Sequence, residues 1–155
     1  MESFLFALAL LSAQTEIKPS DVNCMAEAIY FEARGEPLLG QIAVGNVIIN
    51  RVNSPKFPDS ICKVVHQGVK WKGSMIRHKC QFSYYCDGLP EEIKDAEAYV
   101  VASRISMDVL LNLPSVMPTA MYYHNIDVEP HWMNDYNFVG QIGKHLFYEG
   151  DLITQ

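Results

Sequence analysis

The sequence predicts a helix-rich α+β domain that ends in a small antiparallel sheet. Three observations carry this prediction. Apolar residues recur at three- and four-residue spacing in several segments before Pro114, the mark of amphipathic helices. After Pro114 and Pro118 the pattern changes to short aromatic-rich runs broken by glycine, which read as strands. No repeat, low-complexity tract or linker divides the 155 residues, so residues 1–155 read as one domain of ordinary size. With 49% hydrophobic and 19% charged residues, the chain has enough apolar surface for a packed core, which argues against disorder.

The N-terminal segment, residues 1–14, contains the apolar run from Ser3 to Ala13. That run is too short to span a bilayer as a helix. It has the apolar centre of a signal peptide and small residues at Ser12 and Ala13. Its leading end, however, carries Glu2 and no Lys or Arg, unlike a standard export signal. A short helix packed on the domain is expected, with a signal or anchor as the alternative.

The first strong helix is expected from Ser20 or Asp21, both good N-caps, to Arg34. Val22, Met25, Ala26, Ile29 and Ala33 form its buried stripe. Gly35 stops it and Pro37 prevents its continuation. A second helix is expected over Gly40–Val52. It is apolar nearly all round, which places it at the centre of the fold. Asp59 is expected to cap a shorter helix through Val64 and Val65 to His66, closed near Gly68. Val69 to Gly88 reads as a long irregular stretch, and such loops inside compact domains are usually functional. Pro90, Glu91 and Glu92 are expected to open another long helix reaching Leu111. Ala120–His124 and Phe138–Tyr148 read as strands, the latter a hairpin bent at Gly140 or Gly143.

Charge narrows the partners. A formal net charge of -6 repels nucleic acid phosphates and anionic headgroups, so neither is expected as the main partner. Four cysteines, Cys24, Cys62, Cys80 and Cys86, occur at irregular spacing with no Cys-x-x-Cys pair, so a zinc site is poorly supported. They allow three disulfide pairings, among which sequence does not choose. Cys80 and Cys86 are close enough to close a small loop, and buried reduced thiols are the alternative.

Glu32 is the informative residue. It follows Ile29 by three positions and Met25 by seven, which puts it on the apolar stripe. Glu27 falls off that stripe. A carboxyl group on an apolar face loses solvation, and its pKa rises. That is what an acid needs to protonate a leaving group near neutral pH. The plainer alternative is a carboxylate paired with Arg34, Arg51 or a capping amide. Glu36 lies four residues on, and two close carboxylates suggest a glycosidase pair. Its place beside Pro37 at a helix end equally suits a bond to backbone or to a basic neighbour.

His124, His131 and His145, with Asp127 and Glu129, imitate a metal site, but their spacing matches no zinc pattern and no metal is expected. Tyr84, Tyr85, Tyr122, Tyr123, Trp132 and Tyr136 form an aromatic-rich set suited to the apolar faces of sugar rings. Core packing is the alternative for each of them. Gln81, Ser83, Asn125 and Asn134 offer amides and a hydroxyl beside them.

The run Ala28-Ile-Tyr-Phe-Glu-Ala-Arg-Gly-Glu-Pro37, then Gly40-Gln-Ile-Ala-Val-Gly45 and Val47-Ile-Ile-Asn-Arg-Val52, resembles the signature of the SleB/CwlJ cell wall hydrolases. Ser54–Cys62 with Val64 and Val65 extends the resemblance. So do Cys80-Gln-Phe-Ser83, Cys86-Asp-Gly88, Tyr123-His-Asn125, Pro130 with Trp132, and Ile142-Gly143 with His145 and Phe147-Tyr148. In all it covers residues 22 to 148.

The resemblance implies a lysozyme-like fold and cleavage of the peptidoglycan glycan strand between N-acetylmuramic acid and N-acetylglucosamine. The family's catalytic glutamate lands on Glu32. Substrate contacts are then expected at Glu36, Gln81, Ser83, Tyr123, His124, Asn125 and His145. The resemblance implies action as a lytic transglycosylase, which needs one carboxyl group and no cofactor, with muramidase-type hydrolysis by water as the alternative. The expected assembly is a monomer with no stable membrane span. It would act at the cell wall or periplasm, as a phage endolysin released by a holin or as an exported bacterial enzyme. The competing readings are a metal-dependent peptidoglycan amidase or peptidase that uses the late histidines, and a glycan-binding module without catalysis.

Overall fold

The computed structural model describes residues 16–153, so the expectations for residues 1–14 lie outside the described residues. Among the described residues four helices and five strands follow in order, in keeping with the helix-rich α+β class read from the sequence.

Helix α1 covers Pro19–Ala33. It starts one to two residues earlier than expected, because the fixed φ of Pro19 suits a first helical position and Lys18, not Ser20 or Asp21, stands at the N-cap. Its stripe residues Met25, Ala26, Ile29 and Ala33 are buried. Helix α2 spans Leu38–Val52 and is buried on most sides, as its composition requires. It touches α1, the sheet and both later helices. A close approach explains one glycine here, since a Cβ on Gly45 would stand 3.1 Å from Val109 on the last helix.

Polar residues on this apolar helix have specific work. Asn46 Oδ1 accepts the N–H groups of Val116 and Met117, at 2.9 and 3.2 Å. Asn50 donates to the carbonyls of Met117 and Ala120, at 3.0 and 2.8 Å. Helix α2 thereby holds the 116–120 segment that leads into the C-terminal sheet and gives its backbone groups partners.

Helix α3 covers Ile61–Val65. Its cap is Ser60, which accepts the N–H of Lys63. The expected cap, Asp59, instead reaches the Lys63 ammonium at 3.5 Å. The stretch from Val69 read as irregular contains a hairpin, β1 (Gly68–Trp71) and β2 (Ser74–Cys80). Lys72 and Gly73 turn it with φ of 49° and 82°, a type I′ turn. Both strands are largely exposed, so they lack the in/out alternation by which a strand is recognised. A short 3-10 turn, Ser83–Cys86, follows.

Helix α4 covers Ala96–Leu110 and begins later than the Pro90 start expected. Asp95 caps it by accepting the N–H of Ala98 at 3.0 Å. Tyr30 of α1 accepts the N–H groups of both Lys94 and Asp95, which holds the preceding segment out of helix.

Strands β3 (Ala120–Asn125), β4 (Tyr136–Ile142) and β5 (His145–Leu152) form an antiparallel sheet in the order β3-β5-β4. The hairpin bends at Gly143, where φ is +56°. Phe147 on the central strand is fully buried and packs with Ala43, Val47 and Ala120, joining the sheet to α2. Of the three possible disulfide pairings, the structure takes Cys24–Cys62 and Cys80–Cys86. Disulfides persist in oxidising compartments. Among the described residues no helix is long and apolar enough to cross a membrane.

Candidate active site

Five segments meet at one cleft of about 330 Å³. The last turn of α1 brings Glu32 and the last turn of α2 brings Arg51. The segment after β2 brings Gln81, Phe82 and Ser83. Strand β3 and the turn beyond it supply Tyr123, His124, Asn125 and Val128, and β5 begins with His145.

Glu32 is half-buried, although its stripe neighbours Met25 and Ile29 are completely covered. It is where the apolar face of α1 runs out into the cleft. Burial pushes its carboxyl pKa up. The Tyr123 hydroxyl, which donates to Oε2 at 3.1 Å, and the positive charge of Arg51 pull it part of the way back. Burial and the neighbouring Glu32 charge hold the Tyr123 phenol well above its ordinary range, so it remains a proton-bearing donor. The ion pairs among the described residues are Lys56–Asp151, Lys63–Asp59, His66–Glu27 and Lys94–Glu92. Glu32 belongs to none of them, and Arg34 instead lies over the Tyr30 ring.

The two cleft histidines are held differently. His124 Nδ1 stands 2.8 Å from the carbonyl of Asn125, which can only accept, so that nitrogen carries hydrogen. Its Nε2 pairs with the Tyr148 hydroxyl at 2.8 Å, and the two rings stack. His145 is 4% exposed and its Nδ1 is buried without a partner. Burial lowers its pKa, partly opposed by Glu36, and keeps the ring neutral near pH 7. Asn125 caps the turn that follows by accepting the N–H of Asp127 at 2.9 Å.

Of the expected substrate-contacting residues, Gln81, Ser83, Tyr123, His124, Asn125 and His145 therefore converge with Glu32. Glu36 does not line the cleft. Its Oε2 accepts the N–H of Lys144 at 3.1 Å and lies against Gly143, bracing the turn that delivers His145. Glu27 accepts the hydroxyl of Tyr84 at 3.0 Å, away from the cleft. Among the aromatic set only Tyr123 lines the cleft. Tyr84 stacks on Phe31 and Tyr85 on His66, while Tyr122, Trp132 and Tyr136 pack together on the sheet. His131 is exposed. No group of three or more His, Cys, Asp or Glu side chains is placed to hold a metal ion among the described residues.

Sequence reasoning missed Arg51, Phe82 and Val128 as cleft residues. Arg51 carried a signal, because a charged residue near the end of a helix apolar nearly all round needs a reason to be buried. Phe82 lay inside the quoted Cys80-Gln-Phe-Ser83 motif, and Val128 carried no signal.

Comparison with known proteins identifies the family and the fold. The sequence profile of the Cell Wall Hydrolase family matches residues 35–148, a span that begins just past Glu32. A spore cortex-lytic enzyme of Halalkalibacterium halodurans is 36% identical over 129 residues, which are 83% of this chain and 34% of that protein. One from Bacillus subtilis is 30% identical over 136 residues, 84% of this chain and 38% of that protein. The chain thus spans little more than a third of the length of these curated relatives. The catalytic domain of the Bacillus cereus SleB protein superposes with a TM-score of 0.65 at 30% identity, over 87% of this chain and 94% of that one. The catalytic domain of the germination-specific lytic transglycosylase SleB from Bacillus anthracis gives 0.65 at 29% identity, over 88% of this chain and 100% of that one. The resemblance read in the motifs is borne out, and the chain belongs to the cell wall hydrolase family, with the fold of the SleB catalytic domain.

Proposed function

We propose that this chain cleaves the glycan strands of peptidoglycan between N-acetylmuramic acid and N-acetylglucosamine, acting as a monomeric lytic transglycosylase with Glu32 as its one acid and base. The observation that carries the reading is a carboxyl group, its pKa raised by burial, in a cleft where no second carboxylate stands among the described lining residues. Hydrolysis by the usual glycosidase routes needs a pair. The Bacillus anthracis relative, named as a lytic transglycosylase, supports the same choice.

The chemistry follows from the hydrogen bonds. Oε2 of Glu32 accepts the Tyr123 hydroxyl, which leaves the acidic proton for Oε1. That proton passes to the glycosidic oxygen as its bond to C1 breaks. The resulting carboxylate is stabilised by Tyr123 and by the charge of Arg51. It then takes the proton of the sugar's own 6-hydroxyl as that oxygen bonds to C1. A 1,6-anhydro end forms, no water is consumed, and the acid is restored. Gln81, Ser83, His124, Asn125 and His145 line the path of the strand, and Glu36 serves by holding the 143–144 turn.

Digestion of purified cell wall, followed by mass spectrometry of the muropeptides, is expected to reveal anhydro-muramic ends. Free reducing ends would replace the internal attack by water, and unchanged glycan length would sink the glycosidase reading. The proposal extends to a lytic enzyme of the phage endolysin kind. Expressed in the cytoplasm of a host bacterium, such an enzyme is expected to lyse cells only when a holin is produced with it. Lysis independent of the holin would favour an exported bacterial enzyme.

A further inference from the structure

Arg51 is an expensive residue to bury. It is 4% exposed, and an interior charge costs several kcal/mol unless partners compensate. The partners here are incomplete. Its Nε–H donates to the carbonyl of Met121 at 2.8 Å. The rings of Phe57, Phe82 and Tyr122 lie 4.9, 5.5 and 5.5 Å from Cζ. Those rings stabilise a cation through their faces, yet they offer no oxygen in the guanidinium plane. Among the described residues Nη1 is buried with no acceptor, and no carboxylate lies within ion-pair distance. A guanidinium has five N–H donors, and the protein uses the one on Nε. The group nevertheless lines the same cleft as Glu32. Its guanidinium is held among aromatic rings and its Nε is tied to β3, so its position is preorganised rather than chosen on binding.

We propose that Arg51 is a substrate-contacting residue whose unused N–H groups donate to the acetamido carbonyl oxygen of the sugar seated against Glu32. This rests on the glycan reading above and adds a residue and a recognised group to it. A glycan strand offers hydroxyls, ethers and acetamido carbonyls, and the carbonyl is the strongest neutral acceptor of these. It is borne on C2, next to the C1 at which the bond breaks. A donor beside the proton-giving carboxyl is therefore where that carbonyl arrives. Arg51 would make the cleft select N-acetylated sugars over sugars with a bare 2-hydroxyl. Rejection of the wrong group is strong where a buried charged donor is otherwise left unpaired.

The test uses the full chain in the Glu32→Gln background, which leaves the ligand intact. Calorimetry compares an N-acetylglucosamine tetramer with cellotetraose, both of them neutral. The tetramer of the N-acetylated sugar is expected to bind more tightly. Arg51→Met and Arg51→Lys are each expected to reduce that preference about tenfold or more, the scale of a hydrogen bond to a charged group. Arg51→Lys keeps the charge and the stem, so it reports the guanidinium geometry even if the methionine variant does not fold. Preference unchanged in a folded lysine variant overturns the role of Arg51 and leaves the glycan reading standing. Failure of the Glu32→Gln protein to bind either tetramer overturns both.

Discussion

Replacing Glu32 with glutamine is expected to cut the release of glycan fragments about a thousandfold or more, in line with the loss of a general acid, while wall binding persists. Glutamine keeps the shape and can still accept the Tyr123 hydroxyl through its amide oxygen, so the cleft should hold. What it lacks is a proton acidic enough to give up. Turbidity loss of purified wall and muropeptide yield measure the first effect, and a pull-down on wall measures the second. If the variant stays active and EDTA abolishes that activity, the metal-dependent amidase reading takes over. If neither protein releases fragments and both bind equally, the chain is a binding module.

The same substitution carries a stability signature with a definite sign. The Glu32 carboxyl in the fold titrates above its ordinary value of 4.5, because burial disfavours the charged form. Its contribution to stability is therefore fully present below that value and is lost as pH rises through the raised one. Glutamine never ionises. The melting temperature of the variant minus that of the wild type is expected to grow from acid toward neutral pH. A pH-independent difference would mean that the side chain stands in water.

Removal of the Cys24–Cys62 bridge is expected to lower stability by about 4 kcal/mol, or roughly 10 °C in melting temperature. The estimate follows from its sequence separation of 38 residues, a long loop for the unfolded chain to lose. The bridge ties α1, which carries Glu32, to α3. The Cys80–Cys86 bridge, with a separation of 6, contributes less, about 2 kcal/mol. It closes the loop that holds Gln81 and Ser83, so its loss should act on the cleft more than on melting. A double Cys24→Ser and Cys62→Ser variant, melted beside wild type with and without reductant, separates the two. Identical melting of oxidised and reduced wild type would show that neither bridge forms.

By itself the sequence determined the helix-rich class, the course of α1 and α2, and the place of Glu32. Each is a matter of spacing along one helix. Apolar residues at helical period state which face is buried, and a carboxyl group on that face declares itself. The histidines and amides of the cleft stood out in the sequence as a late cluster beside aromatics, but only the family motifs tied them to Glu32. What the tertiary structure decided is what stands opposite each face. The Tyr30 hydroxyl of α1 takes the N–H groups of Lys94 and Asp95 and so delays α4, a contact across more than sixty residues that no local pattern contains. The β1–β2 hairpin is exposed on both faces and leaves no alternation to read. Glu36 sits four residues from Glu32, yet the fold turns it to the backbone of Lys144 and leaves it outside the cleft. Arg51 is one of several residues in an apolar helix until the rings of Phe57, Phe82 and Tyr122 close around it. Periodicity reports only a residue's own side of a contact, and the partner that gives a buried charge or acid its chemistry comes from another part of the chain.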